Sequence, residues 1–165
     1  RVKQQLEAKS MVRSHRLAVA HRGASPSALE VLDSGWKAAG ITPSAQPISG
    51  GWVHRWWVMR IKRVLERLCP GRRIELEKSI LGKAVDIALE SEDGNWLAFE
   101  TQLRCSDDLV RDLLQKDLVG FARVIVAVQT QADIERVQVV IASLNATDRV
   151  EARLLGTFYY QSKEV

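Results

Sequence analysis

The sequence has few of the residues that build metal clusters or disulfide frameworks. Its 165 residues include two cysteines and three histidines. Cys69 and Cys105 form no Cys-x-x-Cys motif and have no clustered histidines beside them, which argues against a zinc finger. Two reduced thiols, as in a cytoplasmic protein, are the expected state.

Long hydrophobic runs are also missing. None approaches the ~20 residues that a membrane span needs, and no apolar stretch with a small-residue cleavage site marks a secretory signal. Hydrophobic residues make up 46% of the chain and charged residues 27%, the balance of a soluble globular protein. We therefore expect a cytoplasmic protein with no membrane association. A start at Arg1 suggests a fragment of a longer protein, or a processed N-terminus.

Positive charge is modestly in excess, with a formal net charge of +4, and it is concentrated in two stretches. One precedes residue 23 and the other spans residues 55–73. Such clusters are typical of phosphate-binding surfaces, although an ordinary solvated face has the same composition. The candidate DNA-binding residues are Arg13, Arg16, Arg22, Arg55, Lys62, Arg72 and Arg73.

The first 41 residues predict a small separate unit. Residues 1–9 favour the end of a helix, Met11 to Ala20 a strand, residues 22–27 a turn, Ala28 to Leu32 a returning strand, and Ser34 to Ala39 a short helix closed by Gly40. This order is similar to the second half of a winged helix, though an irregular arm would also fit. Residues 42–52, rich in proline, serine and glycine, predict a linker.

The remaining residues, 53–165, alternate helical and strand patterns. Helices are predicted at Val53 to Leu68, Ser106 to Val119 and Ala132 to Leu144, and strands at Ile74 to Glu77, Lys83 to Leu89, Trp96 to Thr101, Val124 to Val128 and Val150 to Tyr160. We expect an α/β domain with a mixed central sheet and helices on both faces. Trp56 and Trp57 are most simply core anchors, with a base-stacking platform as the alternative.

Two acids stand out within this pattern. Asp86 lies in an otherwise apolar strand, where a carboxylate is costly unless it is paired or bound to metal. Glu100 lies near the end of the next strand, across the tight turn at Asp93-Gly94. Together they could bind a hard cation such as Mg²⁺. The structural alternatives are a salt-bridged Asp86 and a Glu100 paired with Arg104, and His54 is more simply a helix-start residue.

The segment GKAVDIALESEDGNWLAFETQL resembles the core of the PD-(D/E)XK nuclease superfamily, whose fold is restriction-endonuclease-like. In that pattern an acid on one strand, here Asp86, precedes an acid-x-lysine on the next, where Glu100 matches the acid and Gln102 replaces the lysine. The resemblance covers roughly residues 53–160. It implies that Lys116 could substitute for the missing lysine and that an upstream acid completes the metal site. Of the two upstream candidates, Glu77 is preferred, because Glu66 lies in a basic helix where i, i+4 surface pairs are expected.

The resemblance implies a Mg²⁺- or Mn²⁺-dependent hydrolase of DNA phosphodiester bonds, with Gln102 or Lys116 orienting the attacking water. The layout looks like nuclease-like domains of mobile-element and conjugation proteins, which are often joined to a winged helix and an ATPase. A catalytically inactive module that binds DNA or a protein is the alternative, favoured by Gln102. A third possibility is an interaction domain that uses the Trp-rich helix.

Overall fold

The N-terminal residues form a helix, a two-stranded hairpin and a second short helix. In a computed structural model, which describes residues 2–17, 19, 26–42 and 48–160, these are α1 (Val2–Ala8), β1 (Val12–Arg16), β2 (Ser27–Val31) and α2 (Asp33–Ala38). The strands are antiparallel, with Val12 opposite Val31. The predicted order of elements is confirmed, while most of the predicted turn, including Arg22, lies outside the described residues.

The rest of the chain builds an α/β unit around one mixed sheet. Its elements are α3 (Trp52–Leu68), β3 (Ile74–Ile80), β4 (Lys83–Glu90), β5 (Trp96–Gln102), α4 (Asp107–Gly120), β6 (Arg123–Val128), α5 (Gln131–Ser143), β7 (Val150–Leu154) and α6 (Leu155–Tyr160). The strand order is β3-β4-β5-β6-β7. The pairs β3–β4 and β4–β5 are antiparallel, and β5–β6 and β6–β7 are parallel. The predicted fold class is confirmed.

Helices cover both faces of the sheet. One hydrophobic cluster joins α3 and α6 to the sheet through residues such as Trp57 and Phe158. The other joins α4 and α5 to the opposite face through residues such as Leu114 and Val137. Strand β6 contributes Ile125 to the first cluster and Val126 to the second. Its continuous apolar run is therefore explained by burial on both sides.

The N-terminal hairpin shares the α3 side of the core. Leu17, Val19 and Ala28 are buried in the same cluster as Trp57, and the ring of His15 stacks on that of Trp52, with centroids 4.5 Å apart. The division of the chain at residues 42–52 stays a prediction, since residues 43–47 lie outside the described part of the chain.

The C-terminal prediction is wrong in part. A strand was expected over Val150 to Tyr160, but β7 ends at Leu154 and residues Leu155–Tyr160 are helical. Leu155 and Phe158 are both buried against α3. Residues three apart lie on the same side of a helix but on opposite faces of a strand, so the helix buries both side chains in one cluster.

Across the described residues, no helix is both long and apolar enough to cross a membrane.

Candidate functional site

Asp86 lies where strands β4 and β5 stop pairing. Their ladder runs from Glu90 opposite Trp96 to Ile87 opposite Phe99. Beyond it, the backbone amide of Thr101 donates a 2.7 Å hydrogen bond to Oδ2 of Asp86, where a continuous ladder would offer a carbonyl of β4. The carboxylate thus replaces a backbone acceptor between the two strands. Asp86 is only 8% exposed, so this bond offsets part of the cost of burying it.

His54 contacts the other oxygen of this carboxylate. It is the third residue of α3, and its Nε2 lies 3.1 Å from Oδ1 of Asp86. The hydrogen bond to Asp86 raises the pKa of His54, partial burial opposes this, and the negative charges of Asp86 and Glu77 raise it further. The pair therefore favours an imidazolium donating to a carboxylate, which anchors the start of α3 to the sheet.

The sequence interpretation preferred a helix-start or packing role for His54 over a catalytic one. A signal was present, because His54 lies on the same helical face as the buried residues Trp57, Val58 and Ile61. A polar ring on the apolar face of a helix needs a partner in the core. Asp86, the one carboxylate expected in an apolar strand, is that partner.

Glu77 faces Asp86 across β3 and β4. Leu76 pairs with Ile87 and Lys78 with Val85, which places Glu77 opposite Asp86 between these pairs. Glu77 has a left-handed backbone with φ of 50°. Its Oε1 accepts hydrogen bonds from the amide and hydroxyl of Ser49, at 2.7 and 2.9 Å, and so holds the segment before α3.

Glu100 lies next to Asp86 in the sheet. One step beyond the last β4–β5 ladder pair, the register puts the two residues opposite each other. Glu100 is 6% exposed. Because Ala98 belongs to the core on the α4 side and Phe99 to the core on the α3 side, alternation directs Glu100 toward α4. The acids occupy neighbouring positions, and Glu100 lies on the face opposite α3.

The two candidates for the lysine role differ in position. Gln102 ends β5, partly buried, opposite Val128 of β6. Alternation puts it on the same face as Glu100. Lys116 is on the exposed side of α4, where it forms an ion pair with Asp112 one turn earlier. Its neighbour Asp117 lies on the buried side of α4 instead, at 1% exposure.

Asp86 retains capacity for a cation. A carboxylate offers about four lone-pair sites, and His54 and Thr101 each occupy one, on different oxygens. Residues 2–17, 19, 26–42 and 48–160 contain no group of three His, Cys, Asp or Glu side chains placed to bind one metal ion. Mg²⁺ commonly uses one or two protein carboxylates and completes its shell with water and phosphate oxygens. Asp86 and Glu100 supply that number of carboxylates from adjacent register positions, with Asp86 held from the α3 side and Glu100 directed toward α4.

The predicted basic residues are spread over three parts of the surface. Arg13 and Arg16 lie on β1, Arg55 and Lys62 on α3, and Arg72 and Arg73 beyond its far end. Several have acidic partners: Arg13 pairs with Glu30, Lys62 with Glu66, Arg72 with Glu92 and Arg73 with Glu75. The pair of Lys62 with Glu66 joins residues one helical turn apart, so Glu66 forms an i, i+4 surface pair rather than part of the Asp86 site. Arg55 differs, since it lines a cavity with two further arginines.

Comparison with known proteins shows similarity to solved structures at a low level. No protein-family model matches the chain, and no curated protein does either. A repair endonuclease from Pyrococcus abyssi is 16% identical, with a TM-score of 0.38 over 87% of this chain and 64% of that protein. The chain thus spans less than two thirds of its length. This similarity is too low to indicate a function, so the function has to be inferred from the chain's own residues.

Proposed function

We propose that the chain binds DNA and hydrolyses its phosphodiester bonds with Mg²⁺ or Mn²⁺ held by Asp86 and Glu100. The observation that carries the proposal is the position of Asp86, a buried carboxylate inserted between β4 and β5 where their ladder ends. If residue 86 served stability alone, we would expect the two strands to pair through their backbones and an apolar side chain to occupy this position. The opening instead supports a carboxylate with free lone pairs beside a second acid.

The protein's own residues set the geometry of this site. His54 and the amide of Thr101 hold the two oxygens of Asp86 in place, as outer partners of metal-binding carboxylates do. Glu77 secures the segment before α3 through Ser49 and adds negative charge near His54. A bound divalent cation would polarise the phosphate and lower the pKa of a coordinated water. Gln102 would orient the attacking water through its amide.

Metal binding can be measured separately from cleavage. Calorimetric titration of Mn²⁺ into the native chain is expected to show binding, and Asp86→Asn should abolish it. This variant loses the negative charge but keeps an oxygen that accepts the hydrogen bond of Thr101. Cleavage of single-stranded, duplex and branched DNA should be lost in the same variant. Glu92→Gln is the control, since Glu92 is an exposed acid on the same hairpin with Arg72 as its partner. Absence of metal binding by the native chain would refute the proposal.

A second candidate is a nuclease-fold module that binds DNA or a protein without catalysis. It is favoured by Gln102 in place of lysine, and by the pairing of Lys116 with Asp112 on the exposed side of α4. On this alternative, DNA binding would weaken steeply with salt and would be the same in native chain and Asp86→Asn, with or without EDTA. Cleavage by the native chain alone would exclude it.

A further inference from the structure

Helix α3 carries large aromatic residues on its outward face as well as on its inward face. Its inward face carries the buried residues Trp57, Val58, Ile61, Val64 and Leu65. Its opposite face is lined by Trp52, Arg55, Trp56, Met59, Arg60 and Arg63, which surround a cavity of about 270 Å³. A surface helix normally presents charged and polar residues on its outer side. Trp52, Trp56 and Met59 are partly buried against the core, and the parts of their side chains that stay exposed line the cavity together with three arginines.

Neighbouring rings hold the two tryptophans in place. The ring of Trp52 is stacked on His15 of the N-terminal hairpin, with an angle of 17° between the planes. Trp56 meets the buried Trp57 edge to face at 4.9 Å, and its centroid lies 6.5 Å from that of Tyr159 in α6. The indole rings are therefore positioned before any ligand arrives, which lowers the entropic cost of binding.

The cavity is positively charged, and none of the described residues that line it is acidic. Arg55 donates to the carbonyl of Gly50, and Arg60 to that of Tyr159, at 2.7 and 3.0 Å. Burial lowers the pKa of Arg60, as do the charges of Arg63 and Arg67. The buried Nε of Arg60 meets no acceptor within the described part of the chain. An anion in the cavity would relieve the repulsion among the guanidinium groups.

The two indole rings and the three arginines of the cavity together favour a ligand that is flat and anionic. We propose that this cavity binds one unpaired base of single-stranded DNA together with an adjoining phosphate. Bases stack on indole rings whatever their identity, and guanidinium groups bind phosphate oxygens. A volume of about 270 Å³ is at the lower limit for small-molecule sites, which suits a single base. The choice of DNA as the polymer rests on the proposed function.

The cavity and the Asp86 site share one end of α3. Trp52 lies two residues before His54, which contacts Asp86, and the two side chains leave the helix on opposite sides. A strand anchored at Trp52 and Trp56 would reach the side of Asp86 by passing around the start of α3. We infer that the cavity binds the unpaired part of a substrate whose phosphodiester bond is presented to Asp86.

Binding without catalysis tests the inference. Fluorescence anisotropy in EDTA would compare a labelled thymidine oligonucleotide of about eight residues, a length within the usual site size, with an abasic oligomer carrying the same phosphates. The native chain is expected to prefer the oligonucleotide with bases. Trp56→Ala should reduce its affinity about tenfold or more, the loss expected for one stacked base, and should leave affinity for the abasic oligomer unchanged.

Matched variants separate this site from general attraction to DNA. Trp96→Ala is the aromatic control, because Trp96 also has cations over its ring, from Arg73 and Lys78, but lies on β5. It should leave both affinities unchanged. Arg63→Glu should weaken binding of both oligomers, and its exposed position allows folding even if Trp56→Ala fails to fold.

Two results would overturn the inference. One is equal affinity for the oligomers with and without bases. The other is binding of thymidine monophosphate as tight as that of the oligonucleotide, which would indicate a free-nucleotide site. Because EDTA removes divalent metal, a failure of metal binding or cleavage at Asp86 would leave these measurements unaffected, so the two proposals can fail independently.

Discussion

The carboxylate of Asp86 accepts the backbone hydrogen bond of Thr101 that the strand β4 would otherwise accept, at 2.7 Å. The residue thus has a structural task as well as a proposed chemical one. Substitutions that separate the acceptor from the charge can distinguish the two.

Asp86→Ala should destabilise the chain by about 1–3 kcal/mol, because it leaves the amide of Thr101 and the ring of His54 without their acceptor. Asp86→Asn should cost less, since its carbonyl oxygen still accepts from Thr101. Urea denaturation monitored by circular dichroism would give both free energies of unfolding. Glu92→Ala is the control, expected within about 0.5 kcal/mol of the native chain. Equal losses for the two Asp86 variants would contradict this explanation.

The raised pKa of His54 predicts a pH-dependent stability. A group whose pKa is higher in the folded state stabilises the fold fully below its unfolded value of 6.5, and this contribution is lost as pH rises through the folded value. The native chain should therefore exceed His54→Gln in stability most at about pH 5.5, and the difference should shrink toward about pH 9. Urea denaturation of both proteins in EDTA at several pH values would measure this difference in free energy of unfolding.

A double variant controls for other titrating groups. In the Asp86→Asn background the same His54→Gln substitution should show little of this pH dependence, because the hydrogen bond and charge that raise the pKa have gone. If the difference is as pH-dependent there as in the native background, Asp86 is not its cause.

Glu77 has a left-handed backbone within a strand, with φ of 50°. Any residue with a Cβ pays about 1–2 kcal/mol for this conformation, whereas glycine adopts it freely. Glu77→Gly should therefore be more stable than Glu77→Ala by about 1 kcal/mol, since both variants lose the hydrogen bonds to Ser49 equally. Chemical denaturation of Glu77→Gly and Glu77→Ala would show which of the two variants has the larger free energy of unfolding.

The matched position is Ser79, two residues along the same strand and exposed. There the usual order should hold, with alanine more stable than glycine by roughly 0.5–1 kcal/mol. An equally favourable effect of glycine at both positions would show that strain at Glu77 is not the reason.

Gly50→Ala should displace His54. Gly50 has φ of 85°, and a Cβ added there would lie 2.9 Å from Cδ2 of His54. We expect a loss of about 1–2 kcal/mol from the backbone alone, and a fall of the His54 pKa toward its ordinary value as the ring leaves Asp86. Proton NMR titration of the imidazole reports the second effect. Gly51→Ala is the control, because no described residue lies within 4 Å of its added Cβ, and the His54 pKa should not move.

Local patterns were sufficient to predict most of the architecture. The apolar spacing of α3, the Asp93-Gly94 turn and the run in β6 each depend on neighbours within a few residues. Asp86 could be identified as a candidate site residue for the same reason, since a lone acid contrasts with the apolar residues around it. The strand predicted at Ile74 to Glu77 was too short, because β3 continues to Ile80 beyond the left-handed residue.

Contacts between distant segments could not be predicted in this way. His54 and Asp86 are 32 residues apart, and no local pattern specifies that a helix start will meet a strand. The helical turn at Leu155 to Tyr160 likewise depends on α3, whose surface buries Leu155 and Phe158 together. Both are cases in which tertiary packing, rather than local propensity, decides the conformation.

The antiparallel arrangement of β3, β4 and β5 has a consequence for folding order. Glu77, Asp86 and Thr101 lie on strands joined by tight turns, so short loop closures bring them together, whereas His54 and the parallel strands β6 and β7 require longer ones. Pulse-labelled hydrogen exchange should show amides of β4 and β5 protected before those of β6. A chain emerging from the ribosome would thus assemble the meander that carries Glu77 and Asp86 first, and would leave the burial of the Asp86 carboxylate to a later step, when the preceding helix docks.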